Sequence, residues 1–264
     1  MKKVAYITTT LGLLLGWSTS ALEAQTAQRE TAAVEPLSLA KFSCAASGKG
    51  ATYMKICVSK SGQVVSFESP QGYEHIRVGQ VFEGYAICGH QRSSEYEDTN
   101  YEPALAGDAD RVQQPNGPNT FPLTIYDKMR DLELVQTFTR NAASRELIIN
   151  MKLYNRTADD FYISRIRRGV DFDINNTPGD DVFTRTAKTI FASDWDGGMS
   201  LSGPGGGTEV FPFRSSWGNC FSPSTPWGTP TPPGDYVGVV DAFFGKRLPK
   251  GGFVEAKFVY HAID

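Results

Sequence analysis

Between Val170 and Asp181 the chain reads VDFDINNTPGDD, and six of the eleven side chains from Asp171 onward are Asp or Asn. Oxygen donors at alternate positions ahead of a sharp turn are what a hard cation such as calcium takes. Asp171, Asp173, Asn175, Asp180 and Asp181 are therefore candidate ligands, and calcium is the cofactor they would suit. The run Asp171-x-Asp173-x-Asn175-Asn176 follows the first half of a calcium loop, and the asparagine standing in place of the turn glycine tolerates a left-handed backbone. The second half departs from that pattern. Position twelve is Val182, so the bidentate carboxylate is missing, and Asp- and Asn-rich turns are common without any ion because these side chains bond their own backbone.

The segment leading into this turn, FYISRIRRGVDFDI, alternates as a strand does. Ile166, Val170, Phe172 and Ile174 share one face, and Arg165, Arg167, Asp171 and Asp173 share the other. At ~3.4 Å per residue the two carboxylates stand about 7 Å apart. On an open, concave sheet surface these four side chains would offer donors and acceptors to sugar hydroxyls. Facing opposite charges on neighbouring strands they would instead form ion pairs, each worth little. The carboxylate spacing suits an inverting glycosidase, but two groups on one strand do not flank a bond from opposite sides, so no catalytic pair is assigned.

A third chemistry lies in the Trp-, Pro-, Ser- and Gly-rich stretch 211–235, with Trp217, Phe221, Trp227 and Tyr236 in or beside it and Trp195 upstream. Exposed rings stack on the apolar faces of sugars, so Trp217, Trp227 and Tyr236 are candidate glycan contacts; the same rings could equally plug the end of a sandwich. The chain has no Gly-x-Ser-x-Gly elbow, and no Cys pair has the C-x-x-C spacing of a zinc or redox site. Its three histidines, His75, His90 and His261, are far apart in sequence.

The elements that must position these groups read as strands. LELVQTFTR (Leu132 to Arg140) and RELIINMKLYN (Arg145 to Asn155) alternate over their whole lengths, the second placing Leu147, Ile149, Met151 and Leu153 on one face. A helical reading would scatter those residues round the cylinder. YMKICV and QVVSF flank Ser61-Gly62, which predicts a two-residue hairpin turn with glycine at positive φ. VFTRTAKTIFASD reads as one further strand, and the chain closes with YVGVVDAFFG, a turn at LPKGG, and FVEAKFVYHAI. Gly, Pro, Asn and Asp separate the runs throughout, and no helix of three turns is evident. The expectation is an all-β chain, a large two-sheet antiparallel sandwich with long loops.

Composition and the chain's start bear on where it works. Residues 1–24 have the plan of a secretory signal peptide: two lysines, an apolar stretch from Val4 to Trp17, and small residues before a cut after Ala21 or Ala24. That stretch is too short to cross a bilayer core of ~30 Å as a helix. Residues 25–36 read as a mobile leader and 37–264 as one β-sandwich domain. The mature protein is then exported, periplasmic or extracellular, without a transmembrane anchor. Four cysteines, Cys44, Cys57, Cys88 and Cys220, favour disulfides in that setting. Three pairings are open, and Cys44 with Cys57 plus Cys88 with Cys220 is the favoured one. With 26 basic and 29 acidic residues interspersed, no electrostatic footprint for nucleic acid is present.

Four segments carry a family resemblance: LIINMKLYNRTADDFYISRIRRGVDFDI, DDVFTRTAKTIFASD, GMSLSG and VVDAFFGKRLPKGGFVEAKFVYHAI. Together, over roughly Leu132 to Ile263, they resemble the supersandwich of galactose-mutarotase-like and related sugar-processing domains, including the non-catalytic accessory domain of bacterial glucan hydrolases. An asparagine turn between two long strands and the Leu-Pro-x-Gly-Gly turn before the last strand are the most specific features. The resemblance implies sugar-related work, although His75, His90 and His261 do not sit in the mutarotase's catalytic motif, so its catalytic histidines and glutamate are not placed on this sequence. The leading expectation is an exported, non-catalytic protein that binds a glycan or cell-envelope polysaccharide. The alternatives are a carbohydrate-active epimerase or lyase using the concave sheet face, and a structural protein with a calcium-stabilised loop.

Overall fold

The structure is a computed structural model that describes residues 42–76, 83–91, 94–100, 111–129, 132–177, 179–195, 197–212, 231–234 and 236–263. Residues 1–36, expected as signal peptide and leader, and Trp217, Trp227 and Cys220 fall outside these residues. The fold is all-β, as the alternation implies. Strands β1 (Phe42–Ser47), β2 (Met54–Ser59) and β3 (Val64–Glu68) make a three-stranded antiparallel sheet. They are followed by β4 (Glu83–Gln91), β5 (Ser94–Asn100), β6 (Arg111–Gln113), β7 (Leu123–Met129), β8 (Leu132–Asn141), β9 (Glu146–Asn155) and β10 (Phe161–Asp171). Then come β11 (Val182–Arg185), β12 (Thr189–Ser193), β13 (Gly198–Ser202), β14 (Gly206–Pro212), β15 (Tyr236–Leu248) and β16 (Phe253–Ile263). Two further sheets result, one of order β14-β15-β10-β4-β5 and one of order β11-β12-β13-β16-β9-β8-β7-β6.

These two sheets pack face to face through the residues that the period-two pattern turns inward. Leu147, Ile149, Met151 and Leu153 of β9 are fully buried, and their neighbours across the gap include Ile166 and Val170 of β10 and Val240 of β15, all in one core cluster. Each such side chain contributes roughly 1.5–3 kcal/mol by leaving water. Strand β8 extends to Asn141 and pairs with β9 through Asn141 opposite Glu146, close to the bounds read from sequence.

Four details differ from the sequence reading, each for a local reason. Between β2 and β3 the turn is wider than two residues: Ser59 N–H donates to Gln63 O at 2.8 Å, with Lys60, Ser61 and Gly62 between them. Gly62 does take positive φ (85°), and a Cβ there would collide with the Gln136 side chain. The segment expected as one strand from Val182 is a hairpin, because Thr186 Oγ1 accepts from Lys188 N and Thr189 N and turns the chain between β11 and β12. Strand β10 ends at Asp171, so Asp173, with φ −127° and ψ 75°, no longer shares the face of Arg165 and Arg167. Finally, β10 contains a bulge between Ile163 and Arg165. Because one extra residue flips the alternation, Phe161 and Ile163 point inward before it and Ile166, Arg168 and Val170 after it.

Arg168 therefore lies inside the sandwich with no exposure. Its Nε donates to Glu83 Oε1 at 2.6 Å, its Nη1 to Gln136 Oε1 at 3.0 Å, and its Nη2 to Gly62 O at 3.0 Å. Glu83 also accepts from Tyr260 Oη at 2.7 Å and from Val64 N at 2.6 Å. Burial pushes the Glu83 carboxyl up, and the Arg168 charge opposes that rise. One buried ion pair thus links β4 and β10 to β8, β16 and the three-stranded sheet.

Candidate functional site

The outward face of the five-stranded sheet is where the charged residues of β10 were expected to work, and the structure divides that face in two. At its covered end Arg167 and Asp241 are buried, with Arg167 Nε donating to Asp241 Oδ1 at 2.8 Å and Nη2 to Oδ2 at 2.9 Å. Arg165 joins them through Nη1, 3.1 Å from Asp241 Oδ2, while keeping 12 % of its side chain exposed. The cross-strand counter-ion is thus supplied by β15, which pairs Arg167 with Asp241 in register. Asp171, at the end of β10, is buried as well.

At its other end the same face opens into a cleft of about 640 Å³. The floor is made where three strands come into register: His90 of β4, Tyr162 of β10 and Arg247 of β15 stand side by side. The bulge in β10 makes this arrangement, since unbroken alternation back from Ile166 would have turned Tyr162 into the core. His90 and Tyr162 stack with ring centroids 4.7 Å apart and planes 29° apart. Gly245, with φ 55°, passes beneath the Tyr162 hydroxyl, and a Cβ added there would lie 3.7 Å from that oxygen. Two turns wall the cleft, one bearing Asp159 and Asp160 and the other Pro249 and Lys250.

One buried asparagine holds both walls. Asn155 Nδ2 donates to Asp159 O at 2.9 Å and to Leu248 O at 2.8 Å, and its Oδ1 accepts from Thr157 N at 2.9 Å. Its backbone accepts from Gly251 N and donates to Gly252 O, at 2.8 and 2.9 Å. The asparagine turn and the Leu-Pro-x-Gly-Gly turn singled out in the sequence therefore meet, and their meeting point shapes the cleft. Chemically it offers a half-buried aromatic stack, a guanidinium and an ammonium on one side, and two carboxylates on the other.

The acidic turn takes a different form from a calcium loop. Asn175 adopts the left-handed backbone (φ 59°) within a 3-10 turn, Ile174–Asn176. Asp181 folds back so that Ile174 N donates to its Oδ2 at 3.3 Å, while Asp180 is exposed. Burial, with Asp173, Asp194 and Asp180 nearby, pushes the Asp181 carboxyl up to about 8. Among the described residues no group of three or more His, Cys, Asp or Glu side chains is arranged to hold a metal ion.

Of the aromatic candidates within the described residues, Tyr236 packs against Phe183 with centroids 5.8 Å apart and is partly buried against the core. Trp195 is 80 % exposed at the tip of the β12–β13 hairpin. The eight-stranded sheet also bears rings on its outward face, Tyr154 and Phe253, but the chain's own cations lie on them. Lys152 Nζ is 3.8 Å from the Phe253 centroid, and the Arg156 guanidinium is 4.5 Å from that of Tyr154. Cys44 and Cys57 form a disulfide, and Cys88 is disulfide-bonded too. Among the described residues no helix is long and apolar enough to cross a membrane.

Neither a protein-family model nor a curated protein matches the chain by sequence. Solved structures match it by fold. A bacterial glucoamylase complexed with acarbose superposes with a TM-score of 0.57 at 11 % identity, over 83 % of this chain and 32 % of that one. A polysaccharide lyase superposes with a TM-score of 0.54 at 7 % identity, over 82 % of this chain and 33 % of that one. The chain spans about a third of the length of each. The β-sandwich seen here is thus a fold shared with parts of sugar-processing enzymes.

Proposed function

We propose that this chain is an exported carbohydrate-recognising β-sandwich protein that holds a glycan in the cleft floored by His90 and Tyr162. The observation that carries the reading is the juxtaposition of a half-buried aromatic stack with Arg247, Lys250, Asp159 and Asp160 around one open volume. Rings take the apolar face of a pyranose, while charged groups fix its hydroxyls by strong hydrogen bonds. The superposed glucoamylase and polysaccharide lyase support a sugar as the class of ligand, as does the supersandwich resemblance. Export is supported by the signal-peptide plan of residues 1–24 and by the disulfides, which persist in oxidising compartments. In this reading 37–264 works as one domain, and a cell-envelope or extracellular polysaccharide is its partner.

A panel of neutral and charged oligosaccharides titrated against the full chain tests this. Tyr162→Ala is expected to weaken the best ligand about tenfold, the loss of one stacking contact with its hydrogen bond, at unchanged melting temperature. Binding to no glycan, or equal binding by the variant, overturns the reading. A catalytic role is the second reading, favoured because His90, Tyr162 and two carboxylates share the cleft and could move a proton. Release of shortened or unsaturated sugars, abolished by His90→Gln, would distinguish it from binding alone.

A further inference from the structure

Beyond the residues that line the cleft, the same outward face carries a further row toward its covered end. On β4, His90 pairs with Tyr162 and Cys88 pairs with Arg165, so the next row of outward residues lies about 7 Å further on at ~3.4 Å per residue. That row brings together Arg165 of β10 and Phe243 of β15, which pair in register. Phe243 is 51 % exposed, although Val239, Val240, Asp241 and Ala242 just before it are buried. The Arg165 guanidinium lies 5.5 Å from the Phe243 centroid. Beneath the ring's edge β14 carries Gly207, whose added Cβ would approach the ring to 3.3 Å, so the glycine leaves room for the ring to lie against the sheet.

Arg165 is also less engaged than its neighbours. Asp241 already receives two hydrogen bonds from Arg167, and Arg165 places a single donor, Nη1, on the same carboxylate. A guanidinium has five N–H donors and binds planar anions through pairs of them. Arg165 retains such pairs, is partly exposed, and stands beside a half-exposed ring.

We propose that Arg165 and Phe243 form a second sugar position that takes an acidic sugar, its ring on Phe243 and its carboxylate or sulfate on Arg165. This rests on the reading of the cleft as a glycan site and adds the ligand's chemical class and length. A site of this kind spans at least two sugar residues, with the neutral contacts at His90 and Tyr162 and the anionic contact one row away.

The test is calorimetry on the full chain with three probes of equal length: a uronic-acid oligosaccharide, a sulfated oligosaccharide and a neutral glucan. The expected result is that one or both acidic probes bind about tenfold more tightly than the neutral one, as a charge-assisted contact would give. Arg165→Gln should bring the acidic probes down to the affinity of the neutral one and leave the latter unchanged. Arg165→Lys, which keeps the charge and loses the fork, should retain part of the preference and serves as the folded control. Phe243→Ala should weaken every probe. Whichever acidic probe is preferred identifies the anion as carboxylate or sulfate. Equal affinity for all three probes, unaltered by Arg165→Gln, overturns the second position but leaves the cleft reading standing if Tyr162→Ala still weakens binding. Failure of all three probes to bind overturns both.

Discussion

Arg168 and Arg165 stand three residues apart on β10, on opposite faces of one sheet, and their surroundings differ in every respect. Arg168 is wholly buried, with Glu83, Gln136 and the Gly62 carbonyl taking its donors. Arg165 is partly exposed and shares one carboxylate with Arg167. A charge inside a sandwich must have all its partners supplied by the fold, because no water can substitute. Arg165, 12 % exposed, places one donor on a carboxylate that Arg167 already holds through two hydrogen bonds. The inner arginine therefore belongs to stability, and the proposed second sugar position assigns the outer one to recognition.

Substitutions should separate the two roles, beginning with the interior. Arg168→Met leaves Glu83 buried without its counter-ion and is expected to lower unfolding free energy by about 3–5 kcal/mol in urea titration. Replacing Glu83 and Arg168 together with methionine should recover much of that loss. A loss below about 1 kcal/mol in the single variant would mean that the core pair is not what joins the sheets. Asn155→Ala strikes between the two regions, since it strips partners from Thr157 N–H and from the Asp159 and Leu248 carbonyls that shape the cleft. About 1–3 kcal/mol of stability should go, together with glycan affinity.

Just before β11, Asp181 shows what burial does to a charge beside like charges. Its folded-state value of about 8 lies above the ordinary 3.8, so its contribution to stability is fully present below about pH 4 and is lost as pH rises through about 8. Within that window the slope reaches up to about 1.4 kcal/mol per pH unit. Asp181→Asn should flatten it in melts recorded from pH 4 to 9, and an unchanged slope would show that the carboxyl ionises freely in the fold. Smallest in stability is Arg165→Gln. Arg167 still neutralises Asp241 through two hydrogen bonds, so the loss should be about 1 kcal/mol, and a loss as large as that of Arg168→Met would place Arg165 with the structural arginines.

Sequence pattern foresaw much of this frame because alternation is a local property. The inward faces of β8 and β9, and Arg165 and Arg167 on the face opposite Ile166 and Val170, follow from period two alone. The bulge at Ile163 and Arg165 was hidden, and with it the outward turn of Tyr162, since an extra residue in a ladder leaves no compositional trace. The pairing of Arg168 with Glu83 spans 85 positions, and that of Arg167 with Asp241 spans 74. Such partners are set by strand order, which alternation does not specify. The cleft joins His90, Tyr162 and Arg247 from three strands, so it had no signature along the chain. Its nearest clue was the pair of turns, Asn155 onward and Leu248 to Gly252, that carried the family resemblance and prove to be clamped together.

Hydroxyl-radical footprinting of aromatic side chains, with and without a bound glycan, tests the central claim most directly because both outward faces bear rings. The account predicts that ligand protects Tyr162 and Phe243 while oxidation of Tyr154 and Phe253 is unchanged. Protection of Tyr154 and Phe253 with Tyr162 still fully reactive would place the glycan on the eight-stranded sheet and contradict it.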